Sequence, residues 1–304
     1  MISIVIPLYN KEDYIAKTIQ SILTQTFQNF EIVIINDGST DGSVKEVQRF
    51  EDKRIRLFEQ TNAGVSAARN RGITEAQYEF IAFLDADDEW KPNYLTLQYD
   101  LIKSFPICDV FAMAYMVNRK GLLSLSRLSN LNFEGKGIID YFCVAYQSDP
   151  PVWSSAVVVT KKALNQIGGF PLNVRSGEDL VTWAKLATLY KIAYSTEAAS
   201  VYHVNEETWD QGRIPDPDDY VGIELSKLLT HKNNDTCLKK YIAYWYRIRS
   251  SMYIKHSRHI DALKEAAKAV ACAPYCFKNY QYILLSVLPY SLVKSFLKFK
   301  TRYL

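Results

Sequence analysis

A chain of 304 residues with 48% hydrophobic and 23% charged residues has ordinary globular composition, and room for one large α/β domain with an appendage. A formal charge of +3 gives no ground for a nucleic-acid partner or a strongly acidic one. No G-x-G-x-x-G, P-loop or zinc-finger pattern is present, and the scattered cysteines lack a second ligand pair for zinc; they are expected to be reduced. The opening MISIVIPLYN has no basic n-region, so no leader is expected there. No apolar run is long enough to span a bilayer.

Ser3 to Pro7 reads as a buried strand: short, β-branched and stopped by proline. Asn10 is expected to cap the next helix, with Asp13 as a capping-box acid and Ile15, Ile19, Ile22, Leu23 and Phe27 at helical spacing. A second strand, Ile32 to Ile35, ends in the turn residues NDGSTDGS. Then follow a helix at 44–50, a strand at 55–59, a helix at 66–76 and a strand at 80–84. This alternation predicts a parallel sheet with helices on both faces, and the continuous apolar strands fit coverage on both sides. Further on, strands are expected at 109–118, 152–160 and 192–204, with a loop-and-helix region between the first two. Short helices are expected at KKALNQIGGF and over 180–190, and a polar, proline-containing linker at 205–220. From Val221 the pattern is helical. The predicted domains are therefore 1–220, divided into a nucleotide-binding half (1–105) and an acceptor half (106–220), and a helical extension, 221–304.

The polar residues collect after strand ends, where ligands of open α/β sheets bind. Pro7, Tyr9, Asn10 and Glu12 follow the first strand, and Asn36, Asp37, Ser39 and Asp41 the second. Asn62, Gly64, Ser66, Arg69 and Asn70 follow the third, and Asp85, Asp87 and Asp88 the fourth. A helix cap needs one acid; two carboxylates flanking one residue at a buried strand end are better explained by a hard divalent cation such as Mg²⁺ or Mn²⁺. Arg69 suits a phosphate, Tyr9 offers a flat face to a base, and Asp37 can accept from an imide N–H. Together they point to a nucleoside diphosphate.

The segments IVIPLYNKEDYI, EIVIINDGSTDGS, NAGVSAARNRG, FLDADDEW and GGFPLNVRSGEDL, in this order over residues 1–210, resemble the family 2 glycosyltransferases of GT-A fold. The resemblance implies an inverting transfer of one sugar from a nucleotide-diphosphate donor, with UDP expected, to an acceptor hydroxyl in surface polysaccharide or glycolipid synthesis. It implies that Pro7, Tyr9 and Glu12 lie by the nucleoside, Asp37 reads the base and Arg69 borders the phosphates. Asp85 and Asp87 form the D-x-D pair, Asp87 being the metal ligand and Asp85 lying nearer the ribose. Asp179 is the expected general base, with Glu178 beside it. His203 is a further expected metal neighbour, and the loop of Trp209 and Arg213 is either an active-site lid or plain surface. The Q-x-x-R-W motif of processive synthases is missing, which suits single-sugar transfer. The competing readings are a nucleotide-sugar-binding module without catalysis and a haloacid-dehalogenase-like phosphatase. The tail from Tyr280, with Lys294, Lys298, Lys300 and Arg302, either packs as a helical pair or lies on the inner leaflet of a membrane beside a lipid-linked acceptor. The expected location is cytoplasmic.

Overall fold

The computed structural model describes residues 1–174, 176–204, 214–231, 235–290 and 292–293. The chain divides into two compact units, Met1–Val204 and Asn205–Leu304.

The first unit is built on one sheet. Strands β1 (Ile2–Leu8), β2 (Phe30–Asp37), β3 (Ile55–Gln60) and β4 (Phe80–Phe83) lie in the order β3-β2-β1-β4, all parallel. β5 (Glu89–Trp90), β6 (Val110–Arg119), β9 (Val157–Thr160) and β10 (Ile192–His203) extend it as β4-β9-β6-β10-β5. β9 is antiparallel to both neighbours, and β6 and β10 are parallel to each other. Every residue of β2 is buried, as is every residue of β1 but Pro7, because helices cover both faces. Helix α1 (Ile15–Leu23) buries Ile15, Ile19 and Ile22 on one side. Each such side chain contributes about 1.5–3 kcal/mol when fully buried. Helix α3 (Val65–Glu75) packs so closely on β1 that a Cβ on Gly72 would collide with Val5. The helices α2 (Ser43–Gln48), α4 (Tyr94–Ser104), α5 (Tyr141–Ala145), α6 (Lys161–Gln166) and α7 (Glu178–Leu189) complete the layers. The α/β class and the parallel first half are as the alternation predicts.

Three local expectations are corrected. Asn10 does not cap α1: the helix begins after Tyr14 without a side-chain cap, and Asn10 sits at φ 51° with its Oδ1 accepting from Thr40 N–H at 2.8 Å. The region after β6 holds the expected loop and helix, with α5 in it, but also two strands that were not expected. Lys120 (φ 51°) and Gly121 (φ 83°) make a two-residue left-handed turn into β7 (Leu122–Leu125), and β8 (Lys136–Ile139) pairs with β10. The expectation of reduced cysteines holds for Cys108, Cys272 and Cys276, and not for Cys143 and Cys237.

The second unit contains α8 (Tyr220–His231), α9 (Thr236–Lys255), α10 (His259–Cys272) and α11 (Phe277–Ser286). Buried polar groups tie it together. Arg249 binds Glu265 at 2.7 Å and Asp219 at 3.3 Å, and Asp219 also accepts from Trp245 Nε1 at 2.9 Å. Asn279 joins Arg247 to the carbonyls of Ala269 and Ala273. A cavity of about 650 Å³ beside Arg249 is lined by charges that pair among themselves, Lys268 with Glu265 and Arg258 with Asp261. No described helix is long and apolar enough to cross a membrane. Trp209, Arg213, Lys294, Lys298, Lys300 and Arg302 lie outside the described residues.

Candidate active site

The four strand-end loops of the first unit are bonded to one another. Asn10 N–H donates to Ser39 Oγ at 3.1 Å, and Lys11 N–H to Ser43 Oγ at 2.7 Å. Glu12 N–H donates to Asp41 at 3.1 Å, while the Glu12 carboxylate accepts from Gly42 N–H at 2.6 Å. A Cβ at Gly42 would push on that carboxylate, so a side chain there would disturb the Glu12–Gly42 bond. The loops after β1 and β2 are thus one unit, leaving Tyr9 47% exposed beside them. Asp37, 2% exposed at the end of β2, accepts from Gln60 Nε2, Ala63 N–H and Gly64 N–H at 2.8–2.9 Å. It thereby shapes the loop after β3. Three donors leave about one acceptor position of the carboxylate free.

The turn after β4 carries the aspartates. Asp85 pairs with Arg69 Nη2 at 2.7 Å, and Asp87 with Lys11 Nζ at 2.5 Å. Asp88 points the other way and is 1% exposed: it accepts from Ser155 Oγ at 2.5 Å and from His203 N–H at 3.0 Å. Burial, then the neighbouring Asp85, hold its carboxyl well above the usual range, and its bonds to Ser155 and His203 anchor the turn to its surroundings. Ser155 also accepts from Asp85 N–H at 3.1 Å. The His203 ring lies between Asn118, 3.3 Å from its Nδ1, and Glu89, 2.7 Å from its Nε2.

Glu178 and Asp179 arrive from a hundred residues further on, and their route is visible. Asn70, next to Arg69 on α3, makes two bonds to the backbone of Phe170, to its carbonyl at 2.8 Å and from its N–H at 2.7 Å. Phe170 packs edge-on against Phe83 at 5.3 Å and Trp183 of α7 at 5.6 Å. Gly177, at φ 83°, turns the chain into α7, so the first residues of that helix are the two acids. Glu178 then meets Arg69 Nη1 at 3.3 Å. Arg69 is 4% exposed, lies over the Phe170 ring at 5.2 Å, and has no partner for its Nε among the described residues. Asp85, Glu178 and Asp179 all act on Arg69 and, despite its burial, raise its affinity for the proton. Burial and then Glu178 push the Asp179 carboxyl up to about 6, against the opposing pull of Arg69.

An aromatic tier borders these acids. Trp153 stacks on Tyr115 with ring centroids 5.5 Å apart and tilts against Tyr202 at 4.4 Å. Trp153 lies two residues before Ser155 and Tyr202 one before His203, so both rings hang from the clamps on Asp88.

The structure thus brings Arg69, Asp85, Glu178 and Asp179 into one cluster. It joins Asp87 to the loop of Pro7, Tyr9 and Glu12 through Lys11, and joins His203 to the same turn through Asp88. Sequence reasoning missed Lys11 and Ser155 as parts of this arrangement, and placed Asp88 there without its anchoring role. Lys11 stands inside the quoted LYNKEDY, but its partner, 76 residues away, carries no local signal.

The glycosyl transferase family 2 model matches residues 3–149. An uncharacterised glycosyltransferase of Rickettsia conorii is 33% identical over 242 residues, which are 79% of this chain and 38% of that protein. The putative teichuronic acid biosynthesis glycosyltransferase TuaG of Bacillus subtilis is 30% identical over 61% of this chain and 71% of its own length. The chain belongs to glycosyl transferase family 2. It spans about two fifths of the Rickettsia relative's length. The crystal structure of S. aureus TarS 1–349 in complex with UDP-GlcNAc superposes with a TM-score of 0.72 at 20% identity, over 90% of this chain and 81% of that one. That likeness supports the GT-A fold. The family 2 match includes the aspartate turn and ends before Glu178 and Asp179, so the argument for those two rests on their geometry.

Asp85 and Asp87 fit a hard divalent cation: they offer carboxylate oxygens from one turn, are 27% and 24% exposed, and already draw cations from two other elements.

Proposed function

We propose that the chain transfers one sugar, with inversion, from a nucleotide-diphosphate donor, a UDP-sugar, to an acceptor hydroxyl in cell-surface polysaccharide or glycolipid synthesis. One observation carries the reading: Arg69 joins the aspartate turn to the pair Glu178–Asp179, so a diphosphate group and a proton acceptor belong to the same site. Tyr9, Pro7 and Glu12 border the nucleoside, and the remaining acceptor position of Asp37 takes a base N–H. Asp87 and Asp85, with His203 as third candidate, would hold Mn²⁺ or Mg²⁺. When bound, such an ion offsets the negative charge that grows on the leaving diphosphate. Arg69, with a spare Nε donor, adds a fixed positive charge in a water-poor setting. Asp179 takes the proton of the acceptor hydroxyl as its oxygen attacks C1 and the bond from C1 to the diphosphate oxygen breaks on the opposite face. A carboxyl at about 6 is ionised at neutral pH yet more basic than an ordinary aspartate, which suits a general base. The Trp153 and Tyr202 rings offer an aromatic face against which a sugar ring could pack.

The D-x-D pair follows β4, not β1, and is followed by Asp88 and Glu89, which counts against a phosphatase of the haloacid-dehalogenase kind. The experiment that tests the reading is a panel of UDP-, dTDP- and GDP-sugars in thermal-shift and hydrolysis assays with Mn²⁺. UDP-sugars near a hundred times their Kd should raise the melting temperature by several degrees, since such saturation adds about 2.7 kcal/mol. No shift or turnover with any donor sinks the proposal.

Peripheral contact with an anionic leaflet is supported by the apolar side chains of α11, with Phe277 77% and Leu284 67% exposed. Co-sedimentation with phosphatidylglycerol liposomes should pull down the full chain more than a Phe277→Ser/Leu284→Ser variant; equal recovery removes that contact.

A further inference from the structure

Four acids of the site are paired with cations of the chain itself. Asp85 and Glu178 share Arg69, Glu89 has Lys17 at 2.7 Å, and Asp87 has Lys11. These partners are not equivalent. Arg69 is buried, doubly bonded and stacked on Phe170, and so has nowhere to go. The Lys11 side chain is 29% exposed, its ammonium reaches Asp87 across a sequence gap of 76 residues, and it otherwise lies only over the Tyr14 ring, 5.7 Å from the centroid, among the described residues. Its backbone is held separately, by the Lys11 N–H bond to Ser43 Oγ. The ammonium can therefore swing on a flexible stem while the loop stays in place.

We propose that Lys11 is a resident counter-ion that competes with a divalent cation for Asp87. The inference rests on the reading of Asp87 as a metal ligand and deepens it. With Lys11 on Asp87 the turn is neutralised and its carboxylate keeps its place without metal. A cation entering at Asp87 must break the Lys11–Asp87 bond and face the repulsion of the ammonium. Released from Asp87, the ammonium stays beside the aspartate turn, where a diphosphate would supply a new anionic partner. Metal and diphosphate then favour each other, because binding one removes part of the cost of binding the other, and such coupling is reciprocal.

Mn²⁺ binding to the full chain, read by electron paramagnetic resonance without nucleotide, tests this. Lys11→Met should bind Mn²⁺ about three- to tenfold more tightly than the unaltered chain, the range expected for losing a half-exposed pair and a nearby positive charge. Lys11→Arg should keep the original affinity. Inorganic pyrophosphate should tighten Mn²⁺ binding more in the unaltered chain than in Lys11→Met. Equal or weaker Mn²⁺ binding by Lys11→Met, with an unchanged melting temperature, overturns the proposal. A different result tests the underlying reading: if Asp87→Asn binds Mn²⁺ as the unaltered chain does, Asp87 is not a ligand, whatever Lys11 does.

Discussion

Replacing Asp179 by asparagine should lower the transfer rate at least a thousandfold while leaving donor affinity within about twofold, because the base acts on the acceptor and not on the nucleotide. The same change should stabilise the protein. The folded carboxyl titrates at about 6, above the ~3.9 of an unfolded aspartate. Between these values the unfolded chain binds fewer protons than the folded one, so stability falls as pH rises from about 4 to about 6 and stays lower above. Asparagine removes that penalty at neutral pH. With partial solvent access and the coupling to Glu178 discounted, the gain should be about 1 kcal/mol, or roughly 2–4 °C in melting temperature. The unaltered enzyme should lose kcat/KM below about pH 6, tenfold per unit, as Asp179 takes up its proton. An asparagine variant that keeps turnover, or that melts several degrees lower, removes Asp179 from its role. An acidic limb displaced by two units would do the same to the explanation of its basicity.

Arg69→Met should produce the largest loss of stability. The guanidinium is 4% exposed and is the shared partner of Asp85 and Glu178. Taking one member from a buried ion cluster leaves charges without a partner and costs about 3–5 kcal/mol. Methionine fills much of the volume, so the loss is electrostatic. Without Arg69 the acids around it bind protons more readily in the folded state, and the loss should shrink as pH falls from 7.5 to 5. Urea denaturation at the two pH values measures this. An equal loss at both would mean that packing on Phe170 matters more than charge. Arg69→Lys should not restore function, since one ammonium cannot reproduce two bonds and a stacked plane. The methionine variant should also lose at least a hundredfold in turnover, as expected when a fixed positive charge beside a leaving group is removed.

Much of the site was legible because it is made from chain neighbours. Strands without polar residues must be covered on both faces, so their polar followers fall together at one sheet edge, and Asp37, Arg69, Asp85 and Asp87 could be named from that logic. What failed were local rules at that same edge. Asn10 has the right chemistry for a cap, but its carboxamide is taken by Thr40 from the adjoining loop. Asp88 looked interchangeable with Asp85 and Asp87, yet burial and the Ser155 hydroxyl make it a structural anchor. The two-residue turn at Lys120–Gly121 had a recognisable glycine, but Leu122–Leu125 has no β-branched or aromatic residue to mark a strand.

The sequence by itself determined the layered α/β class, the strands whose ends gather polar groups, and the kinds of group found there. Only the tertiary structure decided who pairs with whom. Arg69 and Glu178 are separated by 109 residues, and they meet because Asn70 grips Phe170 while Phe83 and Trp183 seat α7 against the sheet. The basicity of Asp179 belongs to the same level. Desolvation and a neighbouring acid create it, and neither exists until the chain has closed around the carboxyl.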